Sequence, residues 1–274
     1  MRRFAPWLTM AAMVLAFPAA AKPAATPWKI LDPQNVLVVG TAKGPIYIEL
    51  HPELAPLAIE RIKLLTRRGS YDGLQFWRVV PKFVVQFDIG NAEGGKTELP
   101  NLKPEFRFRM TGAIPHTVVS KPQGLEQGLI GSVPYVAVGE HSTATPKAPD
   151  GSRSAWVTYC TGVVGMGRDA ERDSANAEIF FMTGAYPGLD SLFTPVGRIV
   201  SGQGMLDALP PGEPPEHPAA MTTVRILADI EHAPRVEVMD TQSPDFAKVV
   251  ARARLKRGAD FSVCDVDVPA RVVP

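Results

Sequence analysis

Hydrophobic and polar positions alternate over short stretches along most of this chain, and proline or glycine ends nearly every stretch after a few residues. Residues 36–39 and 45–50, separated by Gly40-Thr41-Ala42-Lys43-Gly44, predict a hairpin. The period then changes. Ala58, Ile59, Ile62 and Leu65 mark one face of a helix near 56–67, with Pro56 suited to its first turn and Gly69 to its end. Two β-rich runs follow between Gly73 and Asp88, on either side of Pro81-Lys82. In the second run, period two sets Val84, Gln86 and Asp88 on one face and Phe83, Val85 and Phe87 on the other. Arg78 and Gln86 thus stand among apolar neighbours, where they can line a cleft for an uncharged, partly apolar ligand. The plainer reading is a barrel strand whose arginine reaches out to water.

Further on, Ala113-Ile114-Pro115, Val118-Val119 and Leu129-Ile130-Gly131-Ser132-Val133 predict extra short strands, and 139–154 predicts an exposed loop. A short helix is expected over 201–209, with Met205, Leu206 and Leu209 apolar, before the proline-rich stretch 210–215. Residues 223–230 alternate as a closing strand, and 236–239 suit one more. Ser243-Pro244-Asp245 signals a helix start, Phe246, Val249, Val250 and Ala253 share one face, and Gly258 is the stop. Arg252, Arg254, Lys256 and Arg257 suit the negative end of that helix and read as a solvated basic face.

The N-terminus has a different pattern. Arg2-Arg3 precede an apolar run over 4–17 broken only by Pro6 and Thr9, and Ala19-Ala20-Ala21 follow it. This predicts a secretory signal peptide over 1–21, since the run falls short of the ~20 residues of a spanning helix. After cleavage no stable membrane insertion is expected, residues 22–35 read as a flexible segment, and the protein is expected in the periplasm or outside the cell. In that oxidising setting Cys160 and Cys264, the only cysteines, are expected to pair.

Composition narrows the chemistry. With 29 basic against 28 acidic residues and no basic stripe, nothing points to nucleic acid. The glycine-rich 90–95 segment lacks a following Lys-Ser/Thr, so it is not a phosphate loop. Asp169, Glu171, Asp173 and Glu178 mimic a calcium loop, but Ser174 and Phe180 occupy the positions that need glycine and glutamate. The five histidines show no ligand spacing, and there is no Gly-x-Ser-x-Gly elbow.

Phe76-Trp77-Arg78-Val79-Val80-Pro81-x-Phe83-x-x-Gln86 resembles the signature of the cyclophilins, Phe-His-Arg followed by two hydrophobic residues and Pro-x-Phe-x-x-Gln. Gly162-Val163-Val164-Gly165-Met166-Gly167-Arg168-Asp169, Ile179-Phe180-Phe181-Met182-Thr183, Leu189-Asp190 and Val196-Gly197-Arg198-Ile199-Val200 resemble later blocks of that family in order and approximate spacing. The resemblance implies an all-β fold, an antiparallel barrel of about eight strands with two capping helices. It places this domain at 36–232, with a long insertion at about 107–159 and an unrelated helical extension at 233–274.

The resemblance implies a peptidyl-prolyl isomerase that takes proline-containing peptides or unfolded proteins and uses no cofactor and no metal. The barrier to be lowered, about 18–20 kcal/mol, arises from amide resonance, so charge directed at the prolyl nitrogen suffices without a nucleophile. The implied catalytic pair is Arg78 and Gln86. Phe83, Val84, Phe181, Leu189 and Phe193 are implied in the proline pocket, with Met166, Gly167 and Arg168 along the peptide groove. Phe180 reads as barrel core. Departures occur at Trp77 and Phe193 for the family's histidines, at Ile179 for glutamine and at Gly188 for tryptophan. The rival readings are a cyclophilin-fold scaffold with an idle groove and, more remotely, an unrelated secreted β-barrel binding module.

Overall fold

A computed structural model of the chain describes residues 26–90, 95–139 and 148–274. The expected leader at 1–21 lies outside the described residues, as do residues 140–147 of the loop expected at 139–154. Eight antiparallel strands form the main sheet, in the order Met221–Ile226, Val36–Thr41, Gly44–Leu50, Thr194–Ser201, Val163–Met166, Ile179–Met182, Val84–Phe87 and Arg78–Val80. The sheet curls until its outer strands bond to segments that flank the opposite edge. The Phe76 N–H donates to Ala219 O at 2.9 Å and the Met221 N–H to Leu74 O at 2.8 Å, while Val79 and Gly212 exchange a reciprocal pair. These bonds engage backbone groups that an open edge strand would leave unpaired.

Alternation fills the interior. Leu37, Val39, Ile46, Ile48, Val85, Phe87, Val164, Ile179 and Phe181 point into one core, and the helix Pro56–Arg67 adds Ala58, Ile59, Ile62 and Leu65 to it. Each such side chain, fully removed from water, contributes about 1.5–3 kcal/mol. The second helix, Gln203–Asp207, is shorter than 201–209, because Ser201 still pairs with Tyr47 and Gly202, at φ 97°, turns the chain. The strand expected over 223–230 ends at Ile226 in a 3-10 turn.

The insertion is a second sheet, ordered Phe108–Met110, Arg153–Val157, Val133–Val138, Leu125–Ile130 and Thr117–Ser120. Ala113-Ile114-Pro115 is a turn rather than a strand, with the Ile114 N–H bonded to Thr111 O. Arg153, expected in a loop, already starts a strand paired on both sides. The inner face of this sheet packs Leu129, Tyr135, Val157 and Tyr159 against Val84, Phe180 and Met182 on the outside of the barrel. The outer barrel wall therefore has its own apolar core, and the candidate site lies at the edge of that core.

In the extension, the helix Pro244–Arg257 starts at Ser243, whose Oγ accepts from the Phe246 N–H at 3.1 Å, and stops at Gly258 with φ 62°. Phe246 and Val263 join the second core, and a disulfide ties Cys264 to Cys160 across 104 residues. Residues 22–35, expected to be flexible, are not so from Trp28 onward. Trp28–Ile30 forms a strand on Arg235–Met239, which pairs in turn with Ala270–Val273, and Arg271 sits 4.3 Å over the Trp28 ring. The first and last strands of the described residues are thus joined in one small sheet.

Candidate active site

Arg78–Val80 and Val84–Phe87 form a hairpin in which Arg78 lies directly opposite Gln86. The turn takes three residues, 81–83, rather than the Pro81-Lys82 pair, with Lys82 at φ 58°. That extra residue changes the expected faces. Phe83 leaves the strand alternation and joins Val84 and Gln86 on the outer side, while Val85 and Phe87 stay inside the barrel. The Phe83 carbonyl accepts from the Thr183 N–H at 2.9 Å, which anchors the turn on the neighbouring strand.

These residues wall a cavity of about 290 Å³ with Trp77, Gly167, Arg168, Glu178, Phe180, Leu189, Phe193 and Glu213. Its apolar side is a set of aromatic contacts. Phe180 meets Phe193 edge-on at 5.5 Å and Tyr159 at 5.6 Å, and Leu189 is delivered by the 3-10 turn Pro187–Leu189. Arg168 is fixed as a wall: it bonds the carbonyls of Leu192, Asp169 and Ala170 and lies 4.7 Å over the Phe193 ring.

The polar side is a chain of four groups. The Nε–H of Arg78 donates to Glu213 Oε2 at 2.7 Å, an Nη1–H of Arg78 donates to Gln86 Oε1, and Nε2 of Gln86 donates to Glu178 Oε1. Glu178 therefore fixes the Gln86 amide with its oxygen toward the guanidinium, the orientation in which acceptor meets donor. Gly167 makes room for this, since a Cβ there would lie 2.2 Å from Cδ of Glu178. Beneath the chain, Asp88 is fully buried; burial and the nearby Glu178 carboxylate push its pKa up to about 7.

The structure brings together Arg78, Gln86, Phe83, Val84, Leu189, Phe193, Gly167 and Arg168, and leaves two expected residues out. Phe181 is 0% exposed inside the barrel, against Phe76 and Phe87, while Phe180 faces the cavity. Met166 also points inward and is 1% exposed. Alternation is the reason for both: Met166 pairs with Ile179 on the inner face, so the groove begins one residue later at Gly167. The same step moves the polar position from Ile179, which is core, to Glu178. Glu178 and Glu213 went unnoticed as site residues. Nothing local marks them, because one is defined by pairing across strands and the other by the return of the 210–215 segment.

The family model for cyclophilin type peptidyl-prolyl cis-trans isomerases matches residues 36–228. The chain belongs to the cyclophilin family. A probable peptidyl-prolyl cis-trans isomerase of Brucella suis is 27% identical over 196 residues, covering 72% of this chain and 82% of the relative. Its counterpart in Brucella abortus is 26% identical over the same length. Among solved structures, the cyclophilin AquaCyp293 from Hirschia baltica superposes with a TM-score of 0.81 at 29% identity, over 90% of this chain and 93% of that one. That superposition covers more of the chain than residues 36–228 alone. The enzyme class is that of the cyclophilin-type prolyl isomerases.

Proposed function

We propose that this cyclophilin isomerises X-Pro bonds in exported or unfolded protein chains, in the periplasm or outside the cell. The observation that carries the reading is the Arg78–Gln86 pair, with its guanidinium held beside an apolar cavity large enough for a prolyl ring. Phe83, Val84, Phe180, Leu189 and Phe193 hold the ring and keep water away. Arg78 donates to the prolyl nitrogen as its lone pair localises in the twisted amide. That interaction is stronger in the transition state than in the planar ground state. Trp77 and Phe193 stand where the family has imidazoles, and both line the cavity, so its wall beside the proline pocket is more aromatic than the family's pattern.

Export is supported by the apolar leader followed by Ala19-Ala20-Ala21 and by the Cys160–Cys264 disulfide. A protease-coupled or NMR exchange assay on X-Pro peptides tests the reading. Accelerated exchange is expected; a protein that binds such peptides without accelerating them is the scaffold instead.

A further inference from the structure

We propose that Glu213 is a positioning residue for the isomerase reaction, one that holds the Arg78 guanidinium in the orientation it presents to the prolyl nitrogen. The proposal rests on the role given to Arg78 above. A guanidinium carries five N–H donors in a planar fork. In this cleft Nε–H is taken by Glu213 at 2.7 Å and one Nη1–H by Gln86. Among the described residues no acceptor engages Nη2, which leaves that amino group for the peptide.

The two acceptors hold Arg78 from separate parts of the fold. Gln86 is its cross-strand partner, whereas Glu213 arrives from the stretch that follows the Gln203–Asp207 helix. Glu213 is not a wandering surface carboxylate. Its neighbour Gly212 is joined to Val79, the neighbour of Arg78, by hydrogen bonds of 2.8 and 3.0 Å, so the two backbones are locked in register. Gly212 takes φ 154°, and a Cβ there would lie 2.4 Å from Pro215 Cα, so the chain makes this approach with glycine alone. Yet the Glu213 side chain is 55% exposed, and an ion pair of that exposure adds little to stability. What it supplies is geometry. Held by Gln86 and the Phe83 ring 5.9 Å away but without an acceptor for Nε–H, a long arginine side chain swings about its last torsions, and the donor loses part of the preorganisation that makes it effective.

The test compares the wild-type protein with Glu213→Gln, which keeps an acceptor oxygen for Nε–H, and Glu213→Ala, which removes it. For an X-Pro peptide, Glu213→Ala is expected to lower kcat by about fivefold, with KM nearly unchanged and Tm within a degree or so. Glu213→Gln should recover most of the loss. A Glu213→Ala variant with equal or higher kcat would mean that the carboxylate damps the guanidinium rather than aims it, and overturns the proposal. So does a Gln variant as slow as Ala, or a loss confined to KM. An inactive wild-type protein would instead defeat the isomerase reading, before any variant is compared. The Nε–H resonance of Arg78 gives a readout free of turnover: it should be sharp in wild type and broadened in Glu213→Ala, and an unchanged line rejects the positioning role.

Discussion

Phe180 and Phe181 are consecutive in sequence and lie on opposite sides of the same barrel wall. Phe180 borders the cleft beside Phe193, and Phe181 is sealed in the barrel against Phe76 and Phe87. Substitution should affect peptide binding at only one of the two. Phe180→Ala is expected to raise KM for X-Pro peptides several-fold and, because Phe180 is also buried in the second core, to lower stability as well. Phe181→Ala should destabilise the protein by about 3–5 kcal/mol through the cavity it leaves. Denaturant unfolding of both, with peptide titrations, checks the division; equal effects on KM would refute it.

This pair also marks where sequence reading stops. The helix Pro56–Arg67 and the hairpin carrying Arg78 and Gln86 were legible because a strong period and proline or glycine punctuation coincide there. For the run Ile179–Met182, all four residues are apolar, so alternation cannot say which ring faces in. The inner face is decided by Gly165, Met166 and the bulge on Thr194–Ser201, which sequence does not display. Trp28–Ile30 was missed for a related reason: three residues are too few for a period, and the strand exists only because Arg235–Met239 returns beside it.

Arg78 carries the activity prediction. Arg78→Ala should lower the isomerisation rate constant by at least about tenfold, as charge-directed donors in such sites are worth a few kcal/mol. Arg78→Lys should rescue poorly, because an ammonium cannot serve Glu213 and Gln86 as the planar fork does. Circular dichroism should register little change in either variant, and full activity in Arg78→Ala would remove Arg78 from the mechanism.

The disulfide closes 104 residues and fastens the extension to the second core beside Tyr159. In the chain-entropy model a loop of that size stabilises by up to about 4–5 kcal/mol. Reduction, or Cys264→Ser, is therefore expected to lower Tm by many degrees. Protein purified without reductant and unfolded without it should titrate no thiol, and two thiols would exclude the bridge.

His51 is buried between two carboxylates, with Nδ1 2.8 Å from Glu53 and Nε2 in ion-pair contact with Glu49 at 3.3 Å. Burial alone would lower its pKa, but the two carboxylates outweigh it and raise it to about 10. A cation favoured by the fold contributes stability that is fully present below the unfolded pKa near 6.5 and is lost as pH rises through about 10. Denaturation midpoints should therefore fall between pH 7 and 10 in the wild type, and fall less in His51→Gln. Parallel curves would show that His51 is not charged in the fold.

Asp88 gives a pH effect of the opposite origin. Its carboxyl is 0% exposed; Oδ1 accepts from the Ile89 N–H at 2.7 Å, the Gly95 backbone lies close enough to favour the charged form slightly, and among the described residues Oδ2 has no hydrogen-bond partner. Burial first, and then the Glu178 carboxylate, raise its pKa from 3.8 to about 7. Here the charged form is the disfavoured one, so the fold binds this proton more tightly than the unfolded chain does. The contribution is favourable below about pH 4 and is lost as pH climbs to 7, beyond which the ionised group burdens the fold. Asp88→Asn keeps an acceptor for the Ile89 N–H and removes the charge, so it should stabilise the protein at pH 8 and do much less at pH 4. It should also leave Glu178 without a competing carboxylate, and Glu178 is the group that orients Gln86 toward Arg78. Isomerase activity of Asp88→Asn at pH 8 is therefore expected to hold at or above the wild-type value. A variant less stable than wild type at pH 8 would show that the fold favours the ionised carboxylate and that burial does not dominate at Asp88.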